Sequence, residues 1–421
     1  MDRRIKELID LTKTKLGLDN YYLHRYRLYR NVNILNETVY TLCMEWFPNH
    51  LTKQEDDSNP EGTAVIDINV NNHKLESIIF VGGKSYANGI TFCELNTNDI
   101  IKWIEHETGL IYRKQFQLHK DAEGELYFEE CIDGVAVSPS GSIEIKFDQE
   151  RNLTLFTVHG QFPTKETVKV QTYMLSLEMV EQVAKEQLQL IEFPSNEKQR
   201  LFPVFGMEEI YITNDQISTI PFEINVDARS YLKVDKTMYW DTPLNKSFER
   251  KEINWMEDVT VEQAFSNEPS PDSFPITKIE QEKCVVAVKD VLRQEYPNDT
   301  GKWKLKTIHR DKGYIQAILR VKKRDNRVFQ RKMTVMIDAK SFQAINYIDN
   351  KPMLEMFDQY QVSEKVTVTK EEAYEKLKDL FELIPYYVYD FEQRQYILCG
   401  KLDCQYGVKA SSGEVIALDE L

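Results

Sequence analysis

The stretch Ile145-Lys-Phe-Asp-Gln-Glu-Arg-Asn-Leu153 decides how this chain is read. Apolar residues at its first, third and ninth positions, and Leu155 two places further on, flank a run of turn formers. That is the pattern of a short β-hairpin with one buried face. The phrase recurs in degenerate form at Ile224–Leu232, Ile337–Ile345 and Val408–Ile416, at intervals of 79, 113 and 71 residues. Repetition of one supersecondary unit predicts an array of small α+β modules instead of one large catalytic domain.

Helix signals fall in step with the hairpins. Thr97 and Ser176 are plausible N-caps, and each stands 48 residues before its hairpin, at Ile145 and Ile224. Ile100, Ile101 and Ile104 then align with Met179, Val180 and Val183, so helix and hairpin belong to one unit in which the helix packs across the strands. Thr369 with Glu372 has the form of a capping box, followed at helical spacing by Ala373, Tyr374, Leu377, Leu380, Phe381 and Ile384. Further helices are predicted over about 276–295, ended by Pro297, and over about 2–16, ended before Gly17. Val65–Leu75, turning at Asn71-Asn72, reads as a diverged hairpin of the first module. The predicted division is 1–95 as a diverged repeat module, 96–172 and 173–240 as repeat modules, 241–275 as a proline-bearing linker or ordered loop, 276–352 as a repeat module, and 361–421 as the C-terminal module.

The C-terminal residues Val368-Thr-Lys-Glu-Glu-Ala373, Tyr396–Cys404 and Val408-Lys-Ala-Ser-Ser-Gly-Glu-Val-Ile416 resemble the PepSY-like modules of the bacterial YcdB/YcdC repeat family. The resemblance is best over about the last 60 residues and rests on the closing Ala-x-x-Gly-Glu-Val-Ile. It implies an α+β fold of tandem PepSY-like modules, each one helix packed on a small antiparallel sheet. It also implies a regulatory or inhibitory role of the kind PepSY domains are thought to play beside peptidases, and it carries over no catalytic residue.

Composition restricts the partners. A formal net charge of −15 repels phosphate backbones and anionic membranes. The N-terminus has no apolar core of signal-peptide length, and no eighteen apolar residues run together, so a cytoplasmic protein without a membrane span is expected. Cys43, Cys93, Cys131, Cys284, Cys399 and Cys404 read as free thiols, and Cys399 and Cys404 face opposite sides of a strand. The seven histidines are dispersed, with no pair at metal-ligand spacing.

The remaining chemistry-bearing motifs fail one by one. Val81-Gly-Gly-Lys-Ser85 lacks the first glycine of a phosphate loop and reads as a turn after a strand. Glu105-His-Glu107 reads as a solvated helix face, and Glu129-Glu130 cannot form a carboxylate pair, because neighbours on a strand face opposite ways. Tyr21–Arg30 interleaves aromatics with bases, as single-strand binders do. Tyr22, His24, Tyr26 and Leu28 are nonetheless expected on the buried face of a half-buried strand. One anomaly is left: residues 302–332 hold twelve Lys or Arg against Asp311 and Asp325. Lys322, Lys323, Arg324 and Arg327 crowd a hairpin tip and are the candidate partner-binding residues, for an acidic protein, the chain's own acidic helices or nucleic acid. The alternative is a solvated sheet face that protects an edge.

The sequence therefore reads as a non-enzymatic interaction or regulatory protein that engages another protein or peptide, with no cofactor and no metal. A hydrolase whose site is assembled between modules is the alternative, and a nucleic-acid binder using 302–332 is the third reading.

Overall fold

The structure is a computed structural model that describes all residues except 51–57, 93–95, 123, 196, 217, 223–230, 245, 256, 323–325, 362–363 and 421. The chain is α+β and divides into two compact units. The first comprises 1–169, 256–273 and 393–396, and the second 170–255, 274–392 and 397–421.

In the first unit, α1 (Arg3–Lys15) begins where the Asp2 carboxylate accepts the Arg4 backbone N–H at 2.8 Å, and it buries Ile5, Leu8 and Ile9. It ends at Gly17, whose φ of +60° and close approach to the backbone of Gly89 leave no room for a Cβ. Strands β1 (Tyr21–Val32), β2 (Thr38–Pro48), β3 (Ala64–Asn69) and β4 (Leu75–Phe80) follow, then α2 (Thr97–Thr108). The series continues with β5 (Phe116–Ala122), β6 (Glu125–Ile132), β7 (Val135–Ser138), β8 (Ser142–Phe147) and β9 (Leu153–His159). They assemble in the order β1-β2-β3-β4-β9-β8-β6, every pair antiparallel, with β5 and β7 also pairing with β6. Alternation turns Leu42, Met44, Ile66, Ile78, Phe128, Ile145 and Phe156 inward, where they share one core with both helices. Each fully buried side chain of this kind contributes about 1.5–3 kcal/mol. The hairpin phrase at Ile145 is the β8–β9 hairpin, and Val65–Leu75 is the β3–β4 hairpin.

Residues 257–273 also belong to the first unit, as an ordered loop with a short helix, Val261–Ser266. Ala264 enters the core, the Tyr40 hydroxyl donates to the Glu268 carbonyl at 2.7 Å, and Glu257 pairs with Arg30.

The second unit holds α3 (Glu181–Gln187), β10 (Leu188–Ser195), β11 (Arg200–Met207), β12 (Ile210–Thr213), β13 (Thr219–Pro221), β14 (Leu232–Thr237) and α4 (Lys278–Glu295). It continues with β15 (Trp303–Asp311), β16 (Tyr314–Val321), β17 (Lys332–Asp338), β18 (Ala344–Asp349) and α5 (Lys370–Leu377). It closes with β19 (Glu382–Asp390), β20 (Gln395–Asp403, from residue 397 on in this unit), β21 (Tyr406–Lys409) and β22 (Val415–Ala417). Helix α4 lays Cys284, Val288, Val291 and Leu292 on a five-stranded antiparallel sheet, β14-β15-β16-β17-β18, through Trp303, Leu305, Ile315 and Val335. The phrase at Ile337 forms the β17–β18 hairpin and the phrase at Val408 the β21–β22 hairpin. The first part of the phrase at Ile224 lies outside the described residues; its end, Leu232, opens β14, which pairs with β15.

Three features differ from the sequence expectation. Strands from 173–240 and 361–421 share sheets instead of closing their own: β11 pairs with β21, and β12 with β20. Hairpin β21–β22 has strands of only four and three residues, too small a surface to cover Ala373, Tyr374 and Leu377 of α5, so β10 and β11 complete that core. Helix α3 begins only at Glu181, after a single 3-10 turn over Glu178–Val180, so Ser176 is not its N-cap, and it gives way at Leu188 to a strand that pairs along β11. Helix α5 stops at Leu377; Phe381 is still buried, but Ile384 lies on β19 and is exposed.

Helices α4 and α5 both start from complete capping boxes, Thr277 with Glu280 and Thr369 with Glu372. Replacing Thr277 or Thr369 by alanine removes the side-chain acceptor for the third N–H of the helix and is expected to lower stability by about 1 kcal/mol each. Urea denaturation of the two variants measures this.

Candidate functional site

Alternation in the first unit that sends apolar residues inward sends polar ones outward. Across β1, β2, β3, β4 and β9 the register aligns Arg27, Cys43, Asp67, Ser77 and Thr157 in one row, and Tyr29, Thr41 and Asn69 in the next. Where these rows meet the β3–β4 turn, the end of α2 and residues 158–162, they border a cleft of about 450 Å³. Thr41, Cys43, Asp67, Asn69, Glu76 and His159 form its polar part, and Leu75, Leu110, Val158 and Phe162 its apolar part.

Hydrogen bonds fix the acidic groups. Glu76 accepts from the Thr41 hydroxyl at 2.7 Å and from the Asn69 amide at 3.0 Å, while the Asn69 carbonyl oxygen accepts the backbone N–H of Asn71 at 3.0 Å. Asp67 accepts from the Cys43 thiol. Burial raises both carboxyls above their ordinary range, and Asp67 adds to the rise at Glu76. Burial also pushes the Cys43 thiol far up, so it is a hydrogen-bond donor and not a thiolate. Lys74, on the wall, donates its amine to the Thr108 carbonyl.

Behind this wall lies Glu130, only 1% exposed. Its Oε2 accepts the Gly141 N–H at 2.6 Å, the Phe162 N–H also donates to the carboxyl, and Oε1 has no hydrogen-bond partner among the described residues. Gly141 and Gly160 cross so closely that a Cβ on Gly160 would come within 2.3 Å of the Gly141 Cα. Glu130 thereby ties the end of β6 to the segment that presents Phe162 to the cleft. Sequence reasoning rightly set Glu129 and Glu130 on opposite sides, since Glu129 meets His119 at 3.2 Å on the outer face, but the burial of Glu130 carried no local signal.

The sequence candidates lie in the second unit. Lys323 and Arg324 are outside the described residues. Arg327 reaches Asp358 at 2.9 Å, and Lys322 donates its backbone N–H to the Lys302 carbonyl at 2.7 Å. Much of the basic segment is neutralised within the unit. Lys304 and Lys306 both meet Asp235, at 3.2 and 2.7 Å, Arg310 meets Glu280 of α4 at 2.7 Å, and Arg331 meets Asp349 at 2.8 Å.

Other motifs resolve simply. A β-bulge between Leu23 and Arg25 changes which face the side chains of β1 occupy, so His24 stacks on Phe47 and Tyr22 meets the same ring edge-on instead of entering the core. Tyr22, Tyr26 and Tyr29 are 44%, 37% and 41% exposed, contrary to the expected burial of the first two. Glu107 is not solvated but buried against Lys15. Gly82 and Gly83 make a positive-φ turn after β4. Cys399 and Cys404 are both buried, in different cores. Cys93 lies outside the described residues, and among those described no group of three His, Cys, Asp or Glu is placed to hold a metal. No helix among them is long and apolar enough to cross a membrane.

No protein-family model and no curated protein matches the chain. Among solved structures, the chain is similar to the Bacillus megaterium YpeB C-terminal domain at a TM-score of 0.26 and 9% identity, over 83% of this chain and 97% of that one.

Glu130 gives a pH prediction. Its folded pKa is raised from 4.5 to about 8, so the folded state holds a proton that the unfolded state releases. The stability this group contributes is fully present below about 4.5 and is lost as pH rises to about 8. Relative to Glu130→Gln, the wild-type chain is expected to lose up to about 1.4 kcal/mol per pH unit in that window. Chemical denaturation at several pH values across it measures the difference.

Proposed function

We propose that the chain is a non-catalytic protein- or peptide-interaction protein with a regulatory role, and that the cleft of the first unit is its binding surface. The observation that carries this is the cleft itself: a recess of about 450 Å³ whose polar groups are held by neutral donors, with the exposed ring of Tyr29 at its edge. Tyrosine at such a rim supplies contact area at low entropic cost. The C-terminal resemblance to PepSY-like modules supports the regulatory part of the reading.

A hydrolase needs an activated nucleophile, and the thiol in this cleft is shifted the wrong way. The basic segment is the weaker partner surface, because Lys304, Lys306, Arg310, Arg327 and Arg331 already have acidic partners in the second unit. That pairing also weighs against nucleic acid, which would have to displace those acids while opposing a net charge of −15.

Screening the full chain against an immobilised peptide library, followed by fluorescence polarisation with the best binders, tests the proposal. Tyr29→Ala and Gln161→Trp, at the rim and wall of the cleft, are expected to weaken binding at least tenfold while the melting temperature moves by less than about 3 °C. Binding unchanged in both variants, or cleavage of the bound peptides, contradicts it.

A further inference from the structure

We propose that the cleft of the first unit takes up a cationic group, an alkylammonium or guanidinium, between the carboxylates of Asp67 and Glu76. This rests on the cleft being the binding surface and names the chemistry recognised there. Two carboxylates from neighbouring strands share one recess, and the donors that reach them are neutral: the Thr41 hydroxyl at 2.7 Å, the Asn69 amide at 3.0 Å and the Cys43 thiol. Neutral donors orient a carboxylate but do not cancel its charge, and two like charges in one partly dry site disfavour each other. The bases nearby do not close the balance. Lys74 is directed to the Thr108 carbonyl, His159 acts on Asp67 alone, and Arg25 and Arg27 of β1 meet Glu45 at 2.7 Å and Asp258 at 3.9 Å.

The rest of the recess suits the stem that carries such a cation. Leu75, Leu110, Val158 and Phe162 form an apolar flank beside the acids, and the Tyr29 ring, which carries the Arg27 guanidinium 5.7 Å from its centroid, lines the cleft. A volume of about 450 Å³ accommodates a small amine or one extended basic side chain of a peptide. The two sources share the same chemistry.

Proton linkage follows. Without a cation, burial favours the protonated forms of Asp67 and Glu76; a bound cation favours the ionised forms, so binding expels protons and tightens as pH rises through their range.

Titration calorimetry of the full chain with putrescine, tetralysine, tetraglutamate and uncharged 1,4-butanediol tests the inference. Putrescine binding, at least tenfold tighter at pH 7 than at pH 5, is expected, with protons released as judged from buffers of different ionisation enthalpy. Asp67→Asn and Glu76→Gln should each weaken it at least tenfold. The proton count on the wild-type chain decides the matter even if a variant fails to fold. Equal binding of 1,4-butanediol, binding unaffected by both substitutions, or no proton release overturns the proposal. Putrescine binding without tetralysine binding supports the cation site while counting against a peptide ligand. A tetraglutamate complex sensitive to Tyr29→Ala, with no putrescine binding, overturns the cation site and leaves the interaction reading standing.

Discussion

Strand register in the first unit is the constraint on which the rest depends. With Leu42 opposite Ile68, and Cys43 opposite Asp67, one face of β2 and β3 is committed to the core and the other to the cleft. A slip of one residue would exchange the two faces completely, burying Asp67 under the helices and exposing Ile66 and Ile68. The apolar alternation that stabilises the unit therefore also gathers Thr41, Cys43, Asp67 and Asn69 on the opposite side. Core and site are two consequences of one pairing.

The wall of the cleft has a separate origin. Glu130 holds the backbone N–H groups of Gly141 and Phe162, and only glycine at 141 and 160 allows the chain to cross close enough for this. A carboxyl so buried is retained as a neutral acid near physiological pH, and a neutral acid still accepts hydrogen bonds. Part of the cleft wall is thus held by a residue that does not line the cleft.

Much of the architecture was legible in short windows, because hairpins and capped helices are local. Asp148 to Asn152 and Asn71-Asn72 mark turns by composition, and Thr369 with Glu372 marks a helix start by reciprocal bonding. Nonlocal features were not legible. Nothing near Leu188 reports that β11 will meet β21 two hundred residues later, and nothing in Tyr21–Arg30 reports the bulge that exposes Tyr22. The cleft was invisible for the same reason: Thr41, Asp67, Glu76 and Phe162 are brought together only by pairing across four strands, β2, β3, β4 and β9. The basic segment drew attention because its charges are contiguous in sequence, whereas Asp235, Glu280 and Asp349, which answer them, are not.

The claim that this register builds a partly dry acidic cleft is tested most directly by carbon-13 NMR titration of the side-chain carboxyls of Asp67 and Glu76. The account predicts that both titrate above the ordinary range of their residue types and that the two titrations perturb each other. Ordinary or depressed values for both, titrating independently, would contradict it.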